Sequence, residues 1–286
     1  MKVIRLDVLV LNQDEIKSLL NMKDVINAVR KVFIAKATGK VQMPPKSYLH
    51  FEKYNGDLRV MPSYLEENDT ASVKIVNSHA DNPNKYNLPT VMALVTVFDP
   101  KTGAPLSVMD GTYITAIRTG AAAAVATEYL ARKDSKVLGL VGAGVQAIPQ
   151  LSAINEVSEL SEVRAYDIDP KRRKEFVSIA ETRYNLKIVN CPTIRECVEK
   201  SDIISTITPV KNPIVKDGWI NEGVHINAMG ADAPGKEGRD VRRGQQKAPL
   251  RDAQTNAKTS GRGTGQVKRE GCSDDRMCQV WKQSGR

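Results

Sequence analysis

Hydrophobic positions along the chain change period several times, and the changes mark out its elements. Ile16, Leu19, Leu20, Val25, Ile26, Val29, Val32 and Phe33 recur at helical spacing, which predicts a helix over residues 14–38 with Asp14 as its cap. Met43-Pro44-Pro45 stops that pattern. Strand-like runs follow at Ser47–Phe51, Asp57–Met61, Ala71–Asn77 and Val91–Asp99. Asp99-Pro100-Lys101-Thr102-Gly103 has the composition of a turn joining two strands. Residues 112–132 read as a long Ala-rich helix, and the small residues from Ala121 to Ala126 permit close packing.

From residue 136 the rhythm becomes an alternation. Short apolar runs at Val137–Val141, Val163–Ile168, Lys187–Val189, Asp202–Ile207 and His225–Met229 read as strands. Helical stretches at 145–156, Pro170–Tyr184 and Ile194–Lys200 lie between the first four. Such an order predicts a parallel sheet with helices on both faces. The expected fold class is therefore α/β: a Rossmann-type domain over residues 119–240, preceded by an α+β domain over residues 1–118. After about Lys236 the periodicity ends. Only 11 of the 46 residues in 241–286 are hydrophobic, too few to offset the entropy of ordering the segment.

Charge follows the same division. Residues 241–286 carry 11 Lys+Arg against 4 Asp+Glu, whereas residues 1–240 carry 31 against 29. The net charge of +9 thus resides mainly in the tail, and no nucleic-acid partner is expected of the folded body. No stretch approaches the roughly 20 apolar residues of a membrane span, and Met1–Asp7 lacks a signal peptide's apolar core, so a cytoplasmic protein without a membrane partner is expected. Cys191, Cys197, Cys272 and Cys278 have neither Cys-x-x-Cys spacing nor His partners; free thiols and no metal are expected.

The most specific chemical signal is Gly142-Ala143-Gly144-Val145-Gln146-Ala147, directly after an apolar strand and opening a helix. The first glycine allows a tight turn, and the second lets backbone approach a pyrophosphate. The helix N-terminus then offers unpaired N–H groups and its positive end. Ala147 stands at the third glycine position. Asp167, 25 residues after Gly142, is placed to end the second strand and accept from the adenosine ribose hydroxyls, which favours NAD over NADP. Arg172 and Arg173 follow closely; they either soften that preference or are solvated charges of the next helix. Elsewhere, Lys74 lies inside an apolar strand, where an exposed amine would be out of place, whereas His79 reads as a structural hydrogen-bonder.

Several further strings accompany this loop in order: Pro44-Pro45-Lys46, Gly56-Asp57-Leu58-Arg59-Val60-Met61-Pro62, His79-Ala80-Asp81-Asn82-Pro83, Leu88-Pro89-Thr90, Phe98–Leu106, Met109-Asp110-Gly111, Thr115–Ala122 and Asn227–Lys236. Over roughly residues 5–237 the chain resembles the ornithine cyclodeaminase/mu-crystallin family, and within it the archaeal-type alanine dehydrogenases. The resemblance implies an NAD-dependent enzyme of small amino acids that forms a homodimer through its first domain. It implies that Lys74 contacts the substrate carboxylate and moves a proton, that Arg118 pairs with the same carboxylate, that Lys46 and Arg59 lie toward the substrate, and that Asp232 is the catalytic aspartate. It implies cofactor contacts from Val145, Gln146, Asp167, Thr208 and the Ala228-Met229-Gly230-Ala231 run, with Thr90, Arg118 and Thr119 beside them. L-Alanine oxidation to pyruvate and ammonia is the expected reaction. Ornithine cyclodeamination is the alternative, and a mu-crystallin-like binding protein or ketimine reductase a further one. Past Gly235-Lys236-Glu237 the sequence departs from the family pattern, which leaves the Rossmann domain incomplete and reads either as a frameshifted tail or as a natural disordered one.

Overall fold

The computed structural model describes residues 6–210 and 212–230; the tail and Asp232 lie outside these. The described chain forms two compact units that meet in sequence between Arg118 and Thr119.

The first unit runs β1 (Leu9–Leu11), α1 (Gln13–Leu19), α2 (Met22–Ala37), β2 (Val41–Gln42), β3 (Ser47–Phe51), β4 (Gly56–Leu65), β5 (Thr70–His79), α3 (Asn82–Lys85), β6 (Val91–Phe98) and β7 (Pro105–Asp110). It ends in the first half of α4 (Thr112–Leu130). The single helix expected over 14–38 is two. Asn12, not Asp14, caps α1: its side chain accepts from the N–H groups of Asp14 and Glu15, and Glu15 accepts from the Asn12 N–H at 2.7 Å. Asn21 starts α2 by accepting from the Asp24 N–H at 2.9 Å, with Leu20 extended between the two helices. An asparagine oxygen that satisfies the orphan donors of a new helix competes with continuation of the old one.

The sheet of this unit has the order β1-β7-β6-β5-β4-β2, with β3 pairing the other end of β4. All pairs are antiparallel except β1 with β7. The Asp99–Gly103 turn joins β6 to β7 as its composition predicts, with Gly103 at φ +74°. Direct pairing puts Arg59 opposite Tyr48 and Val76, and Lys74 opposite Met61 and Val95. By strand alternation these side chains share one sheet face. Asp110 ends β7 and opens α4 by accepting from the N–H groups of Thr112 and Tyr113.

The second unit begins in α4 and continues β8 (Val137–Val141), α5 (Ala147–Asn155), β9 (Glu162–Tyr166), α6 (Pro170–Arg183), β10 (Lys187–Asn190), α7 (Ile194–Glu199), β11 (Ile203–Thr206) and β12 (His225–Ala228). Its five strands are all parallel in the order β10-β9-β8-β11-β12. Leu138, Leu140, Val163 and Ile203 pack with Leu151, Ile154 and Phe176, whereas Val141, Ile204 and Ile226 pack with Cys197, Val198 and Val215. The fold class is the α/β one that the alternating periods predict. Gly120 permits a close approach of α4 to α5, because a Cβ there would stand 2.3 Å from the Pro149 carbonyl oxygen. Ala121, Ala123, Ala124 and Ala126 are buried beside it. Cys191 and Cys197 are buried free thiols; Cys272 and Cys278 lie outside the described residues.

Candidate active site

In the second unit the order of strands reverses between β8 and β11, the position where an open parallel sheet leaves a crevice beyond its strand ends. Gly142 follows β8 there at φ +112°, and a Cβ on it would meet Ile207 and Thr208 at 3.1 Å. Gly230, after β12, is equally constrained: a Cβ would stand 2.2 Å from the Thr208 carbonyl oxygen. Gly142, Thr208 and Gly230 are thus in mutual contact through Thr208, and the Met229 and Gly230 N–H groups both donate to the Thr206 carbonyl. At Gly144, by contrast, a Cβ would meet nothing within 4 Å. Its lack of a side chain leaves open space above the loop, as approach of a pyrophosphate requires.

Asp167 is buried immediately after β9, one residue beyond the strand that it was expected to end. Its carboxylate accepts from the Ala143 N–H at 2.7 Å through Oδ2 and from the Asp169 N–H at 2.9 Å through Oδ1. It therefore ties the glycine loop to the following turn. A carboxylate has about four acceptor directions, so capacity for ribose hydroxyls remains. Val145 is 84% exposed and Ile168 88% exposed, unusual for aliphatic residues. Ile168, read from the sequence as the end of the strand, stands outside it, next to the acidic residue. Gln146 precedes α5 and holds a buried Oε1 without a hydrogen-bond partner. Together the open space at Gly144, the helix start, the buried carboxylate and the two exposed aliphatics fit NAD.

Arg173 corrects one expectation. It is not a solvated charge: its guanidinium lies 6.0 Å from the Tyr166 ring centroid, and Nη1 donates to the Asp167 carbonyl. Arg172 is exposed and lies 3.7 Å from Asp169. Thr119 offers its carbonyl to Gln150 on α5 at 3.3 Å. Thr90 belongs to the first unit, where its carbonyl accepts the His79 N–H at 2.8 Å.

The first unit gathers the cations. Lys74 sits in β5 between β4 and β6, and its ammonium is pushed down to about 8 by burial first, then by Arg118, Lys46 and Arg59. Three positive neighbours are close enough to disfavour a fourth charge, so Lys74 exchanges its proton near neutral pH. The four elements that supply them are distinct: Lys46 precedes β3, Arg59 is in β4, Lys74 in β5 and Arg118 in α4. Arg59 is held by a carboxylate that the sequence did not flag, Asp57, through Nε–Oδ1 and Nη2–Oδ2 bonds of 2.8 Å each. His79 bonds to Asn77 at 3.1 Å and stacks against Phe51; a side chain at Gly56 would collide with its ring. Its role is packing.

The chain is 49% identical to the alanine dehydrogenase of Archaeoglobus fulgidus over 236 residues, covering 82% of this chain and 71% of that enzyme. A solved archaeal alanine dehydrogenase dimer with bound NAD superposes with a TM-score of 0.76 at 49% identity over the same shares. The Δ1-pyrroline-2-carboxylate reductase of Thermococcus litoralis, solved with NADH and L-proline, gives a TM-score of 0.75 at 45% identity, covering 77% of this chain and 68% of that one. The chain belongs to the ornithine cyclodeaminase/mu-crystallin family of NAD-dependent amino-acid enzymes, whose model matches residues 7–281.

Proposed function

We propose that this protein catalyses the NAD-dependent oxidative deamination of L-alanine to pyruvate and ammonia, and the reverse reaction. The observation that carries the proposal is the cationic surround of Lys74. A substrate carboxylate is stabilised by Lys46, Arg59 and Arg118, and arginine offers it a planar fork. The second ammonium of ornithine would meet the same positive field, which disfavours the cyclodeaminase alternative. By the resemblance Arg59 matches a substrate-side arginine of the alanine dehydrogenase branch and Lys46 a substrate-side Arg or Lys of the family, and the 49% identity to the Archaeoglobus fulgidus enzyme supports that branch.

When bound, NAD supplies the ring carbon that takes a hydride from Cα. The chain's own residues do the rest. Residues 1–118 bind and orient the amino acid, and residues 119–240 hold the cofactor. Anchoring the carboxylate on Arg118 and Lys46 fixes the direction of the Cα–H bond, and such orientation accounts for a large part of the rate. The amine must lose a proton before hydride departs; neutral Lys74 accepts it. The resulting iminium adds water and releases ammonia. Asp232, by its place in the family pattern, takes the proton from that water. A homodimer is part of this proposal, supported by the similarity to the archaeal alanine dehydrogenase dimer.

The test is NADH formation by the purified full chain with NAD and L-alanine, and ammonia release with L-ornithine beside it. NADH with alanine and no ammonia from ornithine is expected. Turnover of ornithine alone would move the protein to the cyclodeaminase branch.

A further inference from the structure

Arg59, one of the cations around Lys74, is held from two sides. Asp57 lies two residues before it on the same face of β4 and grips it with both carboxylate oxygens at 2.8 Å. The Tyr48 ring, directly opposite Arg59 on β3, lies 5.5 Å from the guanidinium carbon. Tyr48 in turn stacks on His50, the residue opposite Asp57, with ring planes 8° apart. The Asp57 and Arg59 side chains are only 20% and 15% exposed. A bidentate fork and an aromatic face together leave the guanidinium plane no freedom to rotate.

We propose that Asp57 is a positioning residue for the amino-acid substrate: through its two bonds to Nε and Nη2 it sets the plane in which Arg59 meets the substrate carboxylate. The inference rests on the proposed function. A surface ion pair held only for stability would contribute little. Here the arginine end of the pair acts on Lys74, so its placement reaches the reacting group. Asp57 also offsets the repulsion that a second arginine adds beside Lys46, Lys74 and Arg118. No bond to substrate is assigned to Asp57 itself.

The test uses the full chain carrying Asp57→Asn, with Asp57→Glu beside it. Pyruvate is titrated into the NADH complex without ammonia, so that it binds without turning over, and alanine oxidation is measured in parallel. Loss of the fork is expected to weaken pyruvate and raise KM for alanine by about tenfold, with kcat within about threefold and NADH affinity unchanged. Asp57→Glu, which keeps the charge but displaces the fork, is expected to fall between the two. Unchanged pyruvate affinity in a folded Asp57→Asn protein overturns the proposal, as does unchanged affinity in Asp57→Glu should the asparagine variant not fold. Absence of alanine turnover by the unaltered chain would instead sink the proposed function. Normal turnover with unaltered pyruvate binding in the variants sinks only the role of Asp57.

Discussion

At pH 7 Lys74 is mostly protonated, although it is largely buried beside three other cations and its proton is held only to about 8 against an ordinary 10.5. The sign of its effect on stability follows. Below pH 8 the amine is charged in both folded and unfolded chains, and the full penalty of holding that charge is present. Between 8 and 10.5 the unfolded chain binds more protons, so stability rises with pH. Replacing Lys74 with methionine should therefore stabilise the protein by about 1–2 kcal/mol at pH 7, after allowing for the water that still reaches the amine. The same change should lower alanine oxidation by about a hundredfold or more. Thermal melts of the variant and initial rates across pH 6–10 check both. In the unaltered enzyme, alanine oxidation should rise through pH 8 as Lys74 becomes a base. A melting temperature that falls in Lys74→Met would mean that the amine is favourably paired.

Among elements, the βα turn after β8 depends on a residue outside it. Gly142 supplies the positive φ and Gly144 the open approach, but the Ala143 N–H is held by Asp167 at the end of a different strand. Exchange of Asp167 for a neutral residue is a usual route from NAD to NADP, since it removes the charge that repels a 2′-phosphate. Here it also releases the glycine loop and the Asp169 turn. Asp167→Ala is accordingly expected to weaken NAD by roughly tenfold or more, the worth of lost charge-assisted bonds, without a compensating gain for NADP. Fluorescence titrations with NADH and NADPH decide the matter. NADPH bound more tightly than in the unaltered chain would show that the carboxylate only selects and does not support the loop. At the other edge of the sheet, His225 bonds to Asn227 at 3.0 Å, and Asn227 bonds to Thr127 on α4 at 3.0 Å. Burial holds this histidine neutral, down to about 4, so the chain of bonds persists through the physiological range.

For the whole molecule, the informative surface is the sheet face of the first unit opposite Lys74. Leu49, Ile75 and Leu94 share it by register, and Leu94 is 52% and Leu49 59% exposed. Val10 extends it on β1 at 72%. Large aliphatics side by side on a sheet face are unfavourable in water and are expected to be covered. In the homodimer proposed above, that face is the expected interface between the two copies. Leu94→Arg is predicted to shift the protein to monomer in sedimentation velocity while leaving NADH binding intact. A variant that remains dimeric would place the interface elsewhere. Among the described residues no helix is long and apolar enough to cross a membrane.

Much of this was legible in the chain itself. Strand periods located β3 and β8 to the residue, and β6 nearly so, because local alternation and flanking turn residues are short-range properties. Gly142 and Gly144 announced a dinucleotide turn because a backbone without Cβ is required there whatever the surroundings. Lys74 stood out because an amine inside an apolar strand needs a reason. The helix break at Leu20-Asn21 was also written locally, in two asparagine caps, but the continuous apolar stripe outweighed it. Other features arise only when distant segments meet. That the Tyr48 ring lies over the Arg59 guanidinium depends on β3 pairing with β4, and that Asp167 holds the Ala143 N–H depends on β9 lying beside β8. The depressed proton affinity of Lys74 likewise needs cations from three other elements, since Coulomb energy depends on separation in space and on burial, neither of which is recorded along the sequence.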